Sequence, residues 1–162
     1  MRSHPATLVV IEYGASWPRW LNPAHSGDLA VVAQHYEGLP TDLVTQVASR
    51  VTRLNQADWQ VDEVILVANG RVDPDATAAR SVLARGLLAH VKASGGRHLT
   101  LALSEALGRR ATHELTSLAA ALEPVAVASD LALSVRVGEE PPVYSRPAPS
   151  RPAPSAPLRA VS

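Results

Sequence analysis

The 162-residue sequence contains no cysteine, no phenylalanine and only one methionine. The absence of cysteine excludes disulfides, thiolate nucleophiles, zinc-finger sites and iron–sulfur clusters. The core must therefore be formed by Leu, Val and Ala, with three Trp and three Tyr as the available aromatic residues. No apolar run approaches the length that a bilayer requires, so the sequence predicts no membrane-spanning segment.

An excess of charge of one sign is also missing. Fifteen Lys and Arg residues balance fifteen Asp and Glu residues, and the formal net charge is zero. Nucleic acids and anionic membranes are bound by basic surfaces, so we predict neither as a partner. The segment from Met1 to Pro5 lacks the apolar stretch of a signal peptide, and a cytoplasmic location is therefore expected.

The composition changes near Glu140. Residues 141–162 contain seven of the thirteen prolines and no acidic residue, and the pentapeptide Ser-Arg-Pro-Ala-Pro at 145–149 repeats at 150–154. Such a segment favours extended polyproline II conformations and does not form a core. We predict one α/β domain over residues 1–140 and a disordered, proline-rich tail over residues 141–162.

Short β-rich runs alternate with amphipathic helical segments in the predicted domain. The predicted strands are Thr7–Tyr13, Asp28–Tyr36, Glu63–Ala68, His98–Leu103 and Leu131–Val137. The predicted helices are Asp42–Leu54, a segment from Pro74 that stops at Gly95, and Leu107–Leu122, which Pro124 is expected to end.

The order β-β-α-β-α-β-α-β predicts a three-layer α/β/α sandwich around a mixed, mostly parallel five-stranded sheet. Helices that connect parallel strands are expected on both faces of the sheet. The first two strands, which no helix joins, are expected to be antiparallel. The last strand carries one polar face and is therefore expected at an edge.

Ligands of open α/β sheets bind beyond the carboxyl ends of the strands. The candidate side chains after the third and fourth strands are Asn69, Arg71, Ser104, Arg109 and Arg110. The helix starts that follow add unpaired backbone N–H groups and the positive end of the helix dipole. These residues predict an anion site, for example for a nucleotide phosphate, although the sequence has no glycine-rich phosphate loop.

Metal and catalytic patterns are missing. The six histidines show no ligand spacing on any one element, and helix capping and dipole compensation explain Asp73 and Asp75. Ser16, Ser104 and His113 occupy plausible positions for nucleophilic catalysis, but no nucleophile elbow is present. We therefore predict no metal, no resident cofactor and no catalytic activity; the alternative cofactor is a nucleotide.

The loop after the first strand contains Trp17 and Trp20. Two interpretations stay open for these aromatic side chains. They close over the sheet as a lid or complete the core, or they present an anchor for a protein partner.

Two families are similar to parts of the chain. From Glu63 to Leu122 it resembles the STAS domain of anti-anti-sigma regulators. The segment Asp75-Ala76-Thr77-Ala78 is similar to that family's Asp-Ser-Ser/Thr-Gly site, although Ala76 and Ala78 depart from it. The resemblance implies that Thr77 is a regulatory phosphorylation site, where added charge alters the docking of a partner.

The chain also resembles universal stress proteins. The first strand ends in a small-residue loop, and the last strand is similar to their LSVRV-type dimerising edge. The ATP-binding motif of that family is missing, so the resemblance implies the kind that does not bind ATP.

The preferred interpretation is a non-enzymatic, cytoplasmic regulatory or stress-response domain that acts by protein association. Its partner is another protein or a second copy, which would form a homodimer through the strand Leu131–Val137. The alternative is a domain that binds a nucleotide or another anion at the carboxyl ends of the strands.

Overall fold

A computed structural model of the chain describes residues 4–12, 14–18, 20, 30–36, 40–93, 95–103, 109–138 and 144–146. The elements, in chain order, are β1 (His4–Glu12), β2 (Ala30–Tyr36), α1 (Pro40–Gln56), β3 (Trp59–Ala68), α2 (Pro74–Ala93), β4 (His98–Leu103), α3 (Arg109–Ala128), β5 (Ala132–Val137) and β6 (Tyr144–Arg146). The chain is therefore an α/β protein with a largely parallel sheet, as predicted. Among the described helices, none is long and apolar enough to cross a membrane.

The strands form one six-stranded sheet in the order β2-β1-β3-β4-β5-β6. The prediction that the first two strands are antiparallel is wrong, because β1 and β2 pair in parallel, with Leu8 beside Val32. A parallel pair needs a crossover of about a dozen residues or more, and residues 13–29 between β1 and β2 supply it. A connection without a predicted helix therefore joins two parallel strands here, and the missing helical pattern was not evidence for an antiparallel pair.

All three described helices pack on one face of the sheet. One buried cluster joins alternate strand residues, such as Leu8, Leu66 and Leu101, to Leu87 of α2 and Leu115 of α3. Val47 and Val51 of α1 belong to the same cluster. The predicted three-layer sandwich, with helices on both faces, is not confirmed in the described part of the chain.

The strand order explains this arrangement. The connections through α1, α2 and α3 all move in one direction across the sheet, so right-handed crossovers place these helices on the same face. The connection from β1 to β2 moves in the opposite direction and therefore crosses the other face. Ala15, Trp17 and Trp20 of that connection pack on this second face, against a cluster that includes Val9 and Ile65.

The last predicted strand does not lie at an edge. β6 pairs antiparallel with β5, with Ser134 beside Ser145, and so it covers the edge that was expected to form a homodimer. β6 also lies within the segment predicted to be a disordered tail. The polar side of β5, with Ser134 and Arg136, results from its position on the second face of the sheet.

The helix ends follow the sequence at α2 but not at α3. Gly95 has a φ of +81°, and the Gly96 N–H donates to the Val91 carbonyl at 2.7 Å, which is the predicted left-handed helix end. α3, in contrast, continues through Pro124 to Ala128. Because Ala120 and Pro124 are both exposed, water can reach the carbonyl that proline leaves without a donor.

Candidate functional site

The chain changes direction across the sheet between β1 and β3. The connection after β1 leads one way and the connection after β3 leads the other, and ligands of open α/β sheets bind at such a point, beyond the carboxyl ends of the strands. The strands end here at Glu12 and Ala68. Gly14 and Gly70 follow with φ values of 89° and 88°, which suit glycine because it has no Cβ.

A buried ion pair forms the base of this edge. Glu12 and Arg80 are 7% and 4% exposed, and Arg80 donates from Nε to Glu12 Oε2 at 2.6 Å and from Nη2 to Oε1 at 2.8 Å. Arg80 Nη1 also donates to the Arg71 carbonyl at 3.1 Å. The two charges compensate each other in a bidentate geometry, so this pair fixes α2 to β1 and does not itself attract a ligand.

Two hydrogen bonds and an ion pair hold the loop after β3. The Asn69 N–H donates to Glu12 Oε1 at 2.9 Å, and the Arg71 N–H donates to Asn69 Oδ1 at 3.0 Å. Arg71 Nη2 lies 2.7 Å from Asp73 Oδ2. The backbone of the loop is therefore fixed before any ligand arrives.

Asp73 caps α2, as predicted. Its Oδ1 accepts a hydrogen bond from the Ala76 N–H at 2.9 Å. This hydrogen bond, with a smaller contribution from the Arg71 guanidinium, holds the pKa of the Asp73 carboxyl below its usual range. Because Asp73 occupies the start of α2 and pairs with Arg71, that helix start offers little positive charge to a ligand.

The start of α3 has the opposite character. Arg109 and Arg110 open the helix, both are exposed, and the first turn contains no acidic residue. Within the described part of the chain, neither arginine makes an ion pair or a side-chain hydrogen bond. Two cations at the positive end of a helix dipole destabilise the helix but favour an anion.

One contact holds the starts of α2 and α3 together. Thr77 Oγ1 donates to Glu114 Oε2 at 3.0 Å. β3 and β4 are parallel neighbours, so the loop 69–73 and Arg109 with Arg110 lie along the same edge of the sheet. Ser104, the other predicted residue of this site, lies outside the described residues.

Thr77 was predicted to be a phosphorylation site. Its hydroxyl is engaged with the Glu114 carboxylate, so a phosphate group on Thr77 would face a negative charge. Modification at this position would therefore remove this contact between α2 and α3. A regulatory role for Thr77 stays a prediction.

Trp17 and Trp20 both pack against the apolar cluster of the second face. The Arg136 guanidinium lies 4.1 Å from the centre of the Trp20 ring, a distance typical of a cation–π contact. Both tryptophans are half-buried. This arrangement favours the interpretation in which they complete the core over the interpretation in which they anchor a partner.

Two surface cavities in the described part of the chain lie away from the carboxyl edge. The larger, of about 390 Å³, has described walls that belong to α1 alone, namely Thr45, Gln46, Ser49, Arg50 and Arg53. The smaller, of about 230 Å³, lies between α1 and α2. A cavity whose described walls belong to a single helix lacks the convergent polar groups of a binding site, so we assign no function to the larger one.

Metal binding finds no support among the described side chains, since no group of three potential ligands occurs there. Comparisons of the chain with protein-family models, with curated proteins and with solved structures give no match. The resemblances to STAS domains and universal stress proteins therefore stay predictions.

Arg80 is the residue of this edge that the sequence analysis missed. An arginine inside a helix is usually a solvated surface residue. The spacing of the helix could have predicted its burial, because Arg80 lies on the same side of α2 as the buried residues Ala84, Leu87 and Val91. A charged residue on a buried stripe requires a partner of opposite charge, and Glu12 at the end of an apolar strand is such a partner.

Proposed function

We propose that the chain is a binding domain that holds a small anion of the phosphate class at the carboxyl edge of the sheet. The phosphate is either free or part of a nucleotide. The observation that carries this proposal is the start of α3, where Arg109 and Arg110 add positive charge to a positive helix end whose described first turn contains no acidic residue.

The surroundings of these two arginines support a binding role. The neighbouring loop 69–73 is fixed through Glu12 and Arg80, and preorganised groups lose less entropy when a ligand binds. Asn69 and Arg71 belong to this loop, and the strand order places the edge at the position where α/β sheets bind ligands. The unfavourable charge at the start of α3 is then a cost of function.

The preferred interpretation from the sequence, protein association, has less support. Its two predicted surfaces were the strand Leu131–Val137 and the tryptophan loop. β6 pairs with that strand at Leu133 to Val135, and Trp17 and Trp20 pack against the sheet. Regulation through a bound anion remains compatible with the proposal.

Ligand-dependent thermal unfolding of the full-length protein tests the proposal. Inorganic phosphate, AMP and ATP are titrated separately, with chloride at matched ionic strength as the reference. A ligand that binds only the folded state at 100 times its Kd adds about 2.7 kcal/mol to the free energy of unfolding. At least one of the three compounds is expected to raise the Tm in a saturable manner.

The double variant Arg109→Ala/Arg110→Ala locates the effect. Without ligand it should be more stable than the wild type, because two cations leave the positive end of α3, each by about 0.3–1 kcal/mol. Addition of the ligand should not change the Tm of this double variant.

The matched control is Arg85→Ala/Arg97→Ala. It removes the same charge from two exposed positions, Arg85 on α2 and Arg97 before β4. The control should keep the ligand response of the wild type. The proposal is contradicted when no compound raises the Tm of the wild type, or when both double variants respond equally.

A further inference from the structure

The second face of the sheet carries a polar cluster that the anion site does not use. Besides Glu12 and Arg80, the buried polar residues in the described part of the chain are Thr7, Thr100 and Ser134. All three lie on this face, where the described part of the chain contributes no helix. Thr100 of β4 lies beside Ser134 of β5, and Glu63 of β3 lies beside His98 of β4.

An acid, a histidine and a serine are aligned in this cluster. His98 Nε2 lies 2.9 Å from Ser134 Oγ, and His98 Nδ1 lies 3.5 Å from Glu63 Oε2. Thr100 Oγ1 donates to Glu63 Oε2 at 3.0 Å, which fixes the carboxylate. Three adjacent parallel strands thus hold the order carboxylate, imidazole and hydroxyl that activates a serine.

The environment of His98 suits a general base. Nδ1 faces the carboxylate, which favours the tautomer with the proton on Nδ1. Nε2 then accepts from Ser134 Oγ at 2.9 Å, with Thr100 Oγ1 at 3.4 Å. Burial lowers the pKa of His98, and the Glu63 carboxylate raises it in part. The imidazole is therefore neutral near pH 7. The side chains of His98 and Glu63 are 34% and 31% exposed, whereas Ser134 is 6% exposed, so an ester has to approach Ser134 from the side of the imidazole.

Arg136 supplies a cation on the same strand and the same face as Ser134. Alternate residues of a strand lie about 6.6 Å apart, and an arginine side chain spans that distance. Arg136 Nε is buried without a hydrogen-bond partner in the described structure, as is Trp20 Nε1. The Arg136 guanidinium packs against the Trp20 ring, so it adds a positive charge to the second face of the sheet.

We propose that Ser134 is a nucleophile toward carboxylic esters, with His98 as its base and Glu63 as a positioning residue. This activity is separate from the anion site and does not rest on it.

The reaction proceeds in two balanced steps. Ser134 Oγ bonds to the ester carbonyl carbon while its proton passes to His98 Nε2. The bond to the leaving alcohol then breaks as His98 returns the proton to the departing oxygen. Water hydrolyses the acyl-serine by the same route, which releases the carboxylic acid and restores Ser134.

The experiment uses the full-length protein and 4-nitrophenyl acetate. We expect a burst of nitrophenolate equivalent to one acetyl group per chain, and peptide mapping should locate that group on Ser134. This mapping is made on the wild type and needs no variant. Ser134→Ala should lose the burst, and His98→Gln should lower the acylation rate by about 10²-fold or more.

Ser117→Ala is the matched control. Ser117 Oγ lies 3.4 Å from His113 Nε2 on the exposed side of α3, and within the described residues no carboxylate contacts that histidine. The control therefore removes a serine that contacts a histidine but has no carboxylate behind that histidine. We expect this variant to keep the burst. Acetyl groups found only on Lys92, Ser117 or other residues, or an unchanged burst in Ser134→Ala, would overturn the proposal.

Glu63→Gln separates positioning from a purely structural role. Among the described residues, Glu63 is the charged group that acts on the pKa of His98. Removal of the carboxylate that raises the pKa of His98 should shift the midpoint of the pH–rate profile to lower pH. A profile whose midpoint does not move, in a variant with wild-type circular dichroism, contradicts the role of Glu63.

Discussion

Glu12 and Arg80 connect β1 to α2 through a buried, bidentate ion pair. Because breaking a buried pair leaves an uncompensated charge, we predict that Arg80→Met lowers the free energy of unfolding by about 3–5 kcal/mol. Arg80→Met combined with Glu12→Gln should lose less, since the amide is neutral and its oxygen still accepts the Asn69 N–H. Urea unfolding of both variants measures the difference.

The exposed pair of Arg71 and Asp73 is the control for this prediction. The Arg71 side chain is 67% exposed, and solvent screens the attraction between exposed charges. Arg71→Met should therefore change the free energy of unfolding much less than Arg80→Met does. If the double variant Arg80→Met/Glu12→Gln is as unstable as Arg80→Met alone, the loss of stability comes from packing rather than from an unpaired Glu12 charge.

His98 makes stability depend on pH. Burial lowers its pKa in the folded protein, and Glu63 opposes this in part. The unfolded chain then binds the proton more readily, so the free energy of unfolding falls as pH falls from about 6.5 through the folded pKa. We predict a weaker pH dependence for His98→Gln between about pH 7 and pH 5, measured by urea unfolding. Equal pH dependence in both proteins would exclude this linkage.

At the scale of elements, the end of α2 depends on Gly96. A Cβ at this position would lie 2.8 Å from the Val61 carbonyl oxygen and 2.8 Å from Val91 Cγ1. We predict that Gly96→Ala lowers the free energy of unfolding by about 1–3 kcal/mol through overpacking, measured by thermal and urea unfolding.

Gly95 provides the comparison. Its Cβ would meet only Gln60 Nε2 at 3.5 Å, so Gly95→Ala should cost about 1 kcal/mol from the left-handed backbone alone. A larger loss of stability in Gly95→Ala than in Gly96→Ala would contradict the packing argument for Gly96.

Local patterns predicted the type and order of the first eight elements and the bounds of β4. Apolar runs and the glycines after α2 made these predictions possible, because the burial pattern of an element and the backbone freedom of glycine can be recognised from a few neighbouring residues. Pro124 was misread because no local sequence signal shows that the carbonyl which it leaves without a donor lies on the exposed side of the helix. β6 was missed because a strand of three residues in a proline-rich segment depends on its pairing with β5.

At the scale of the whole molecule, strand order and handedness place the groups of both candidate sites. Asn69, Arg71, Arg109 and Arg110 were predicted because they follow strands, and any parallel sheet brings such residues to one edge. The alignment of Glu63, His98 and Ser134 was not predicted. It depends on the register of three strands far apart in the sequence, whereas the sequence analysis considered serines in loops.

β6 gives a prediction at this scale. A chain that ends at Glu140 lacks β6 and exposes the unpaired edge of β5, and open strand edges promote association. We predict a lower Tm and a larger mass by light scattering for this chain than for one that ends at Arg146. Identical behaviour of the two truncated proteins would show that β6 does not protect the edge.

A ¹H–¹⁵N NMR titration of the full-length protein tests whether the carboxyl edge binds a phosphate-class anion. Inorganic phosphate and ATP are added separately at constant ionic strength. We expect saturable shifts at the amides of residues 69–77 and 109–114, whereas the amides of Trp59 and Arg97 at the opposite edge should not shift. Shifts confined to α1 near Arg50 and Arg53, or no saturable shift with either compound, would contradict binding at the carboxyl edge.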